Sequence, residues 1–362
     1  MSRKIKPIAI YLPQFHPIPE NDSWWGKGFT EWTNVVKSKP RFEGHYQPHL
    51  PADLGFYDLR LKESRLQQEQ IAKEFGIHGF CYYHYWFNGK RLLYEPLDRK
   101  LKNADEDLPF MMCWANENWT RTWDGAENKI LLSQEYSFED DLNHIQHLIP
   151  YFKDDRYIKV DGKPVFIIYR PKFFPNMEQT IKIWRDEVKK AGFPDLYMGF
   201  SQNHEHDYYP KLRGFDFAFQ FQPDFETHSK KNVFNMSVLK KIKRRLMKYM
   251  GLKLEKSQYY FDYLEYVQKQ IELNFKKDVY PGITPMWDNS ARRKVDPFIL
   301  HNSTPEKYKY WLSHIKNDYP WEEVPESFLF INAWNEWAEG NHLEPCQKWL
   351  TSYLEATKEI LN

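Results

Sequence analysis

The amino-acid sequence predicts an α/β protein, a (β/α)8 (TIM) barrel with long βα-loop insertions. Three observations carry this reading. Eight short apolar or aromatic runs recur along the chain without the strict alternation of a half-exposed sheet, as strands buried on both faces require. Amphipathic helical patterns fall between most of them. Nearly every run ends in groups able to bind hydroxyls, at the strand ends where this fold carries its sites.

The runs, in order, are "IAIYL" (8–12), "GFCYYHY" (79–85), "FMMCWA" (110–115), "VFIIYR" (165–170), "LYMGFS" (196–201), "FAFQF" (217–221), "GITPMW" (282–287) and "FLFINAW" (328–334). The helical segment 61–76 ends in Gly76, a C-cap signal, and 137–152 opens on Ser137 followed by acids, an N-terminal signal. Segments 177–193, 260–275, 304–316 and 346–361 follow the same logic. Two stretches read as insertions. Residues 13–60 are long, Pro-rich and aromatic, and the aromatics argue for order. Residues 223–258 contain a basic amphipathic pattern, with Leu239, Ile242, Leu246 and Tyr249 at helical spacing among lysines and arginines. That helix, 239–249, is expected to lie solvated or to make a peripheral contact with an anionic membrane or an acidic glycan. The whole chain, 1–362, is expected to form a single catalytic domain.

Bulk composition narrows the function classes. The 51 basic and 50 acidic residues nearly cancel, which gives no support for nucleic-acid binding. Aromatics reach 18%; Trp and Tyr build large cores and also stack on sugar rings. Three cysteines, Cys81, Cys113 and Cys346, are too few and too scattered for a disulfide framework or a zinc site, and fit a reducing compartment. The start reads as a first strand rather than a signal peptide, and no apolar run is long enough to span a bilayer. A cytoplasmic protein is the expectation, with no cofactor and no metal. "HEHD" at 204–207 is the nearest approach to a ligand cluster.

The run ends supply the candidate carbohydrate contacts: Gln14 and His16, His84 and Trp86, Trp114, Asn116 and Glu117, Tyr169, Gln202, Gln220, Trp287 and Asp288, and Asn335 with Trp337, to which Trp32 of the first loop is added. The chemistry concentrates in "INAWNEWAEGNHLEP" (331–345). Glu336 and Glu339 sit three apart, so a turn or short helix after the strand aims both into one cavity. Glycosidic hydrolysis needs two such carboxyls, one ionised and one protonated, and an aromatic wall such as Trp334 or Trp337 separates their pKa values. Glu117 follows a strand end between Trp114 and Trp119. It reads as a hydroxyl-binding residue, or as a structural partner of Arg121 or Arg170. In "PGITPMWDNSARR" (281–293), Arg292 and Arg293 suit either an anion or the orientation of loop carboxylates.

The motifs "YLPQFH", "WWGKGFTEW", "GHYQPHLPADLGFYD", "CWANENWTRTWDG" and "NEWAEGNHLEP" resemble those of the WbsX-type family over nearly the whole chain. That family is commonly encoded in O-antigen and capsule loci and is usually labelled glycosyltransferase. It looks related to glycoside hydrolase family 99, the endo-α-mannosidases and endo-mannanases, which are metal-independent retaining barrels with a "NEWxEG" ending. The resemblance implies a 1,2-anhydro sugar intermediate, with Glu336 as base on the 2-hydroxyl and Glu339 as acid/base at the leaving oxygen. "PGITPMWDNSARR" is similar to that family's Pro-Gly…Asp…Arg loop at a different spacing, while the first loop has no aligned counterpart. The expected activity is therefore a retaining glycoside hydrolase acting on an α-linked bacterial polysaccharide or oligosaccharide. A glycosyltransferase of surface-polysaccharide synthesis is the alternative, disfavoured by the lack of a DxD motif or a Gly-rich phosphate loop. A non-catalytic carbohydrate-binding protein is a third.

Overall fold

The computed structural model describes residues 4–121, 126–203, 209–225, 259–293 and 297–361. Its main sheet contains β1 (Lys6–Tyr11), β2 (Gly79–Phe87), β3 (Phe110–Trp114), β4 (Lys163–Ile168), β5 (Tyr197–Gln202), β6 (Phe217–Gln220), β7 (Val279–Tyr280), β8 (Gly282–Ile283) and β9 (Phe328–Ile331). They run parallel in the order β7-β6-β5-β4-β3-β2-β1-β9-β8. β7 and β8 are two halves of one stretch, interrupted at Pro281, which has no N–H to give the ladder. One half pairs with β6 and the other with β9, so eight strand positions close into a barrel. Closure needs Gly282: a Cβ there would sit 1.7 Å from the Gln220 carbonyl oxygen.

All eight predicted runs are strands. The seventh begins at Val279 rather than 282, and its expected end, Trp287–Asp288, instead joins a small separate sheet with Phe298–His301 and Tyr259–Asp262. The helices are α1 (Pro19–Trp25), α2 (Glu31–Lys37), α3 (Lys62–Glu74), α4 (Glu95–Leu101), α5 (Phe138–Phe152), α6 (Met177–Lys190), α7 (Tyr263–Ile271), α8 (Pro305–Asp318) and α9 (Ser352–Leu361). Gly76 follows α3 at φ +78°, and Ser137 accepts a hydrogen bond from Asp140 N at the start of α5. α7 starts three residues later than the pattern suggested, because Asp262 is its N-cap and accepts from Leu264 N at 2.9 Å. α9 begins at Ser352 rather than 346, the residues before it forming turns. Among the described residues no helix is long and apolar enough to cross a membrane. The proposed basic helix at 239–249 and the "HEHD" cluster at 204–207 lie outside the described residues.

Side-chain parity decides what each strand offers. Along β2, Phe80 and Tyr82 pack outward with Tyr11 of β1, whose hydroxyl donates to Gln68 of α3 at 2.7 Å. On the inner face Phe217, Phe219, Tyr280 and Phe330 stack within the barrel, Phe219 and Phe330 with centroids 4.3 Å apart. The first βα loop folds back over the mouth. Arg41 donates to the carbonyls of Ser290 (2.7 Å) and Arg293 (2.5 Å), and Asp288 accepts from Gln47 at 2.7 Å and pairs with His45 at 2.6 Å. Although burial opposes its charge, the hydrogen bonds from His45, Ser290 and Gln47 hold the Asp288 carboxyl below its usual range.

Candidate active site

A cleft of about 630 Å³ opens at the C-terminal ends of the strands. Tyr83, Tyr85 and Phe87 of β2 form one wall with Trp119, which belongs to a hairpin of Trp119–Arg121 and Ala126–Leu132. Tyr169, Asn203, Phe221, Phe225 and Trp287 continue around the rim, with Glu117 and Arg170 paired at 2.9 Å on its edge. Glu336 and Glu339 line the same cavity.

The chain places these two acids by local geometry. Asn335 clamps the end of β1, accepting from Leu12 N at 2.8 Å and donating to Leu12 O at 3.0 Å. Residues Trp337–Glu339 then form one 3-10 turn, in which positions three apart share a face. Gly340 closes that turn at φ +54°, where a Cβ would meet the Asp288 Cβ at 2.9 Å. Beneath the turn, Glu344 accepts from Gln68 and Trp337 (both 2.6 Å) and Tyr57 (2.8 Å). Burial still pushes its pKa up to about 7.

Arg292 organises the charges. Its Nη2 donates to Glu336 at 2.8 Å, its Nη1 lies 2.7 Å from Glu339, and its Nε donates to Glu31 of α2 at 3.1 Å. One guanidinium thus serves three carboxylates. Burial pushes Glu336 up to about 8; Arg292 opposes the rise, and the neighbouring Glu339 and Glu31 add to it. Burial likewise raises Glu339 and Glu31, and the three carboxylates hold the guanidinium firmly protonated despite its burial.

Of the expected site residues, the structure brings Gln14, Glu117, Tyr169, Trp287, Glu336 and Glu339 to the cleft. Three buried polar atoms there make no hydrogen bond among the described residues: Gln14 Nε2, Asn203 Oδ1 and Trp287 Nε1. The other expected contacts lie elsewhere. His84 and Trp86 face outward under α5, His84 bonded to His144 at 2.9 Å and Trp86 to Asp140 at 3.0 Å. Trp114 has the same outward parity, with its ring against His144. Gln202 and Gln220 border a separate cavity of about 310 Å³ near Leu273–Lys276. His16 is fully buried, outside the cleft, and burial lowers its pKa to about 4. Asn116 staples loops together, holding Arg170 N and O at 2.7 and 2.8 Å. Trp32 and Trp337 pack on each other, Asn335 is spent on Leu12, and Asp288 anchors the first loop. None of these lines the cleft.

The residues that sequence reasoning passed over are Tyr83, Tyr85, Phe221 and Glu31. The first three have the opposite parity to the polar neighbours that drew attention. Glu31 stood within the motif "WWGKGFTEW", and no local signal links it to residue 292.

The family described as Glycosyltransferase WbsX matches residues 7–357. Two Xanthomonas campestris pv. campestris proteins described as "Uncharacterized protein WxcX" are 40% and 39% identical over 98% of this chain and 49% of each relative. The chain therefore spans about half the length of the curated relatives it matches. Among solved structures, a "Glycoside hydrolase-like protein" aligns with a TM-score of 0.58 at 13% identity, over 100% of this chain and 95% of that one. A GH99 endo-alpha-mannosidase from Bacteroides thetaiotaomicron, in complex with BIS-TRIS-propane, aligns with a TM-score of 0.56 at 14% identity, over 99% and 97%. At these identities the likeness shows a shared barrel fold. By the extent of the family match and the identity to its relatives, this chain belongs to the WbsX family.

Proposed function

We propose that this chain is a carbohydrate-active enzyme that cleaves an α-linked glycosidic bond in a bacterial polysaccharide or oligosaccharide with retention, using Glu336 and Glu339. The observation that carries the reading is two buried carboxyls, three residues apart, sharing one guanidinium at an aromatic-lined cleft. Tyr83, Tyr85, Trp119 and Trp287 offer ring faces for sugar C–H surfaces. Gln14, Asn203 and Trp287 keep two donors and one acceptor for hydroxyls.

In the mechanism that the family resemblance implies, Glu336 takes the proton of the 2-hydroxyl as that oxygen attacks the anomeric carbon. Glu339 gives its proton to the departing oxygen. Water then opens the 1,2-anhydro sugar, losing a proton to Glu339, and Glu336 returns its proton to O2. Two inversions give net retention. The cycle needs one proton on the pair in total. Burial, which raises both carboxyls, favours that condition, and the proton belongs to the coupled pair rather than to either residue, so it can be delivered through Glu339.

A second reading keeps the same site and replaces water with an acceptor hydroxyl, in keeping with the family's description as glycosyltransferases. The test is a panel of α-linked bacterial glycans, with the product anomer followed by NMR and nucleotide sugars as control donors. Glu336→Gln and Glu339→Gln should each abolish turnover and leave glycan binding largely intact. Wild-type rates in either variant would overturn the assignment, and turnover only with a nucleotide sugar would select transfer.

A further inference from the structure

Glu31 stands apart from the cleft. It is fully buried, and Arg292 lies between it and the cavity. It opens α2 in the first βα loop, where its N–H donates to Gln14 O at 3.2 Å. The next residue, Trp32, fixes the helix in place by packing on Phe15, Tyr57 and Trp337 and donating to Tyr57 O at 2.9 Å. A loop of nearly fifty residues thus delivers one carboxylate to the far side of the arginine that holds the two candidate catalytic acids.

We propose that Glu31 is a positioning residue for the Glu336–Glu339 pair: by occupying the Nε edge of Arg292 it takes part of that single positive charge, and so keeps one proton on the pair in the free protein. This inference rests on the reading of that pair as the acid and base. Charge counting supports it. Arg292 with two carboxylates carries a net charge of −1, and burial with their mutual repulsion already resists ionising both; a third carboxylate on the same guanidinium brings that group to −2 and strengthens the demand for a proton. Other groups facing the cluster do not replace this effect. Arg293, from the same loop as Arg292, lowers Glu339 and so offsets part of the effect at that residue. Tyr83 and Tyr85 of β2 and Tyr169 after β4 are held neutral by burial. Glu117 at the rim is paired with Arg170.

The test needs no substrate. Protein labelled with 13C at glutamate side-chain carboxyls is titrated by NMR as wild type, Glu31→Gln and Glu31→Asp. Glu31→Gln retains a hydrogen-bond acceptor for Arg292 but removes the charge, and should lower the upper apparent pKa of the Glu336–Glu339 pair by about one pH unit. Glu31→Asp should stay close to wild type. With a substrate in hand, the alkaline limb of kcat should move down by the same amount in Glu31→Gln only. A purely structural Glu31 would leave the titration unmoved in the Gln variant, and that result overturns the proposal. Should the Gln variant fail to fold, the wild type decides alone: if Glu31, Glu336 and Glu339 all titrate below about pH 5, the pair stores no proton and the proposal falls. Loss of turnover in Glu336→Gln tests the catalytic reading separately.

Discussion

Glu336→Gln should make the protein inactive and, above mildly acidic pH, more stable. The reason is linkage. The carboxyl titrates near its ordinary 4.5 in the unfolded chain, whereas burial raises it to about 8 in the fold. Between those values the folded state binds a proton that the unfolded state does not, so stability is fully present below about pH 4.5 and is lost as pH rises towards 8. One pH unit in that window is worth about 1.4 kcal/mol. From pH 5 to pH 8 the wild type should therefore lose about 3–4 kcal/mol through this cluster. Glutamine keeps the shape and an acceptor for Arg292 but carries no titration. Its weaker hydrogen bond is a constant offset, so the informative quantity is the slope of the stability difference with pH. Chemical denaturation of both proteins at pH 5, 6, 7 and 8 measures it. The difference should move in favour of the variant by about 3 kcal/mol across the range. A difference independent of pH would refute the raised carboxyl, and with it the idea that burial loads the site with a proton.

Three further outcomes follow from particular contacts. Asn335→Ala removes both bonds to Leu12 and strands a buried N–H and C=O, which should cost about 2–4 kcal/mol in urea unfolding. Trp287→Phe removes a buried N–H with no hydrogen bond among the described residues while keeping most of the wall. It should cost about 1–2 kcal/mol of stability, as a buried indole shrinks to a phenyl, and raise the KM for a glycan roughly five- to tenfold, the worth of one hydrogen bond. Tyr85→Ala should weaken glycan binding about tenfold or more through the lost ring face. His84→Ala, one residue away but bonded to His144 under α5, should cost about 2 kcal/mol of stability and leave KM unchanged; equal effects on binding would contradict the parity of β2.

The sequence by itself determined the barrel and the placing of Glu336 and Glu339 together after its last strand. Buried strands are continuous apolar runs, and a barrel repeats strand and helix, so both signals are local and survive reading one segment at a time. Glu336 and Glu339 were legible because their relation is local too: three residues, one turn and a glycine. The tertiary structure decided which face of each strand meets the cleft. Around "GFCYYHYWF", a shift of one residue exchanges Tyr83 and Tyr85 for His84 and Trp86, and an unbroken apolar run carries no alternation to say which points inward. The same ambiguity sent Trp114, Gln202 and Gln220 to the outer face. It also decided the electrostatics. Glu31 and Glu336 lie 305 positions apart in the chain and meet on one arginine only because the ring of strands closes at Gly282 and brings the first loop over the last.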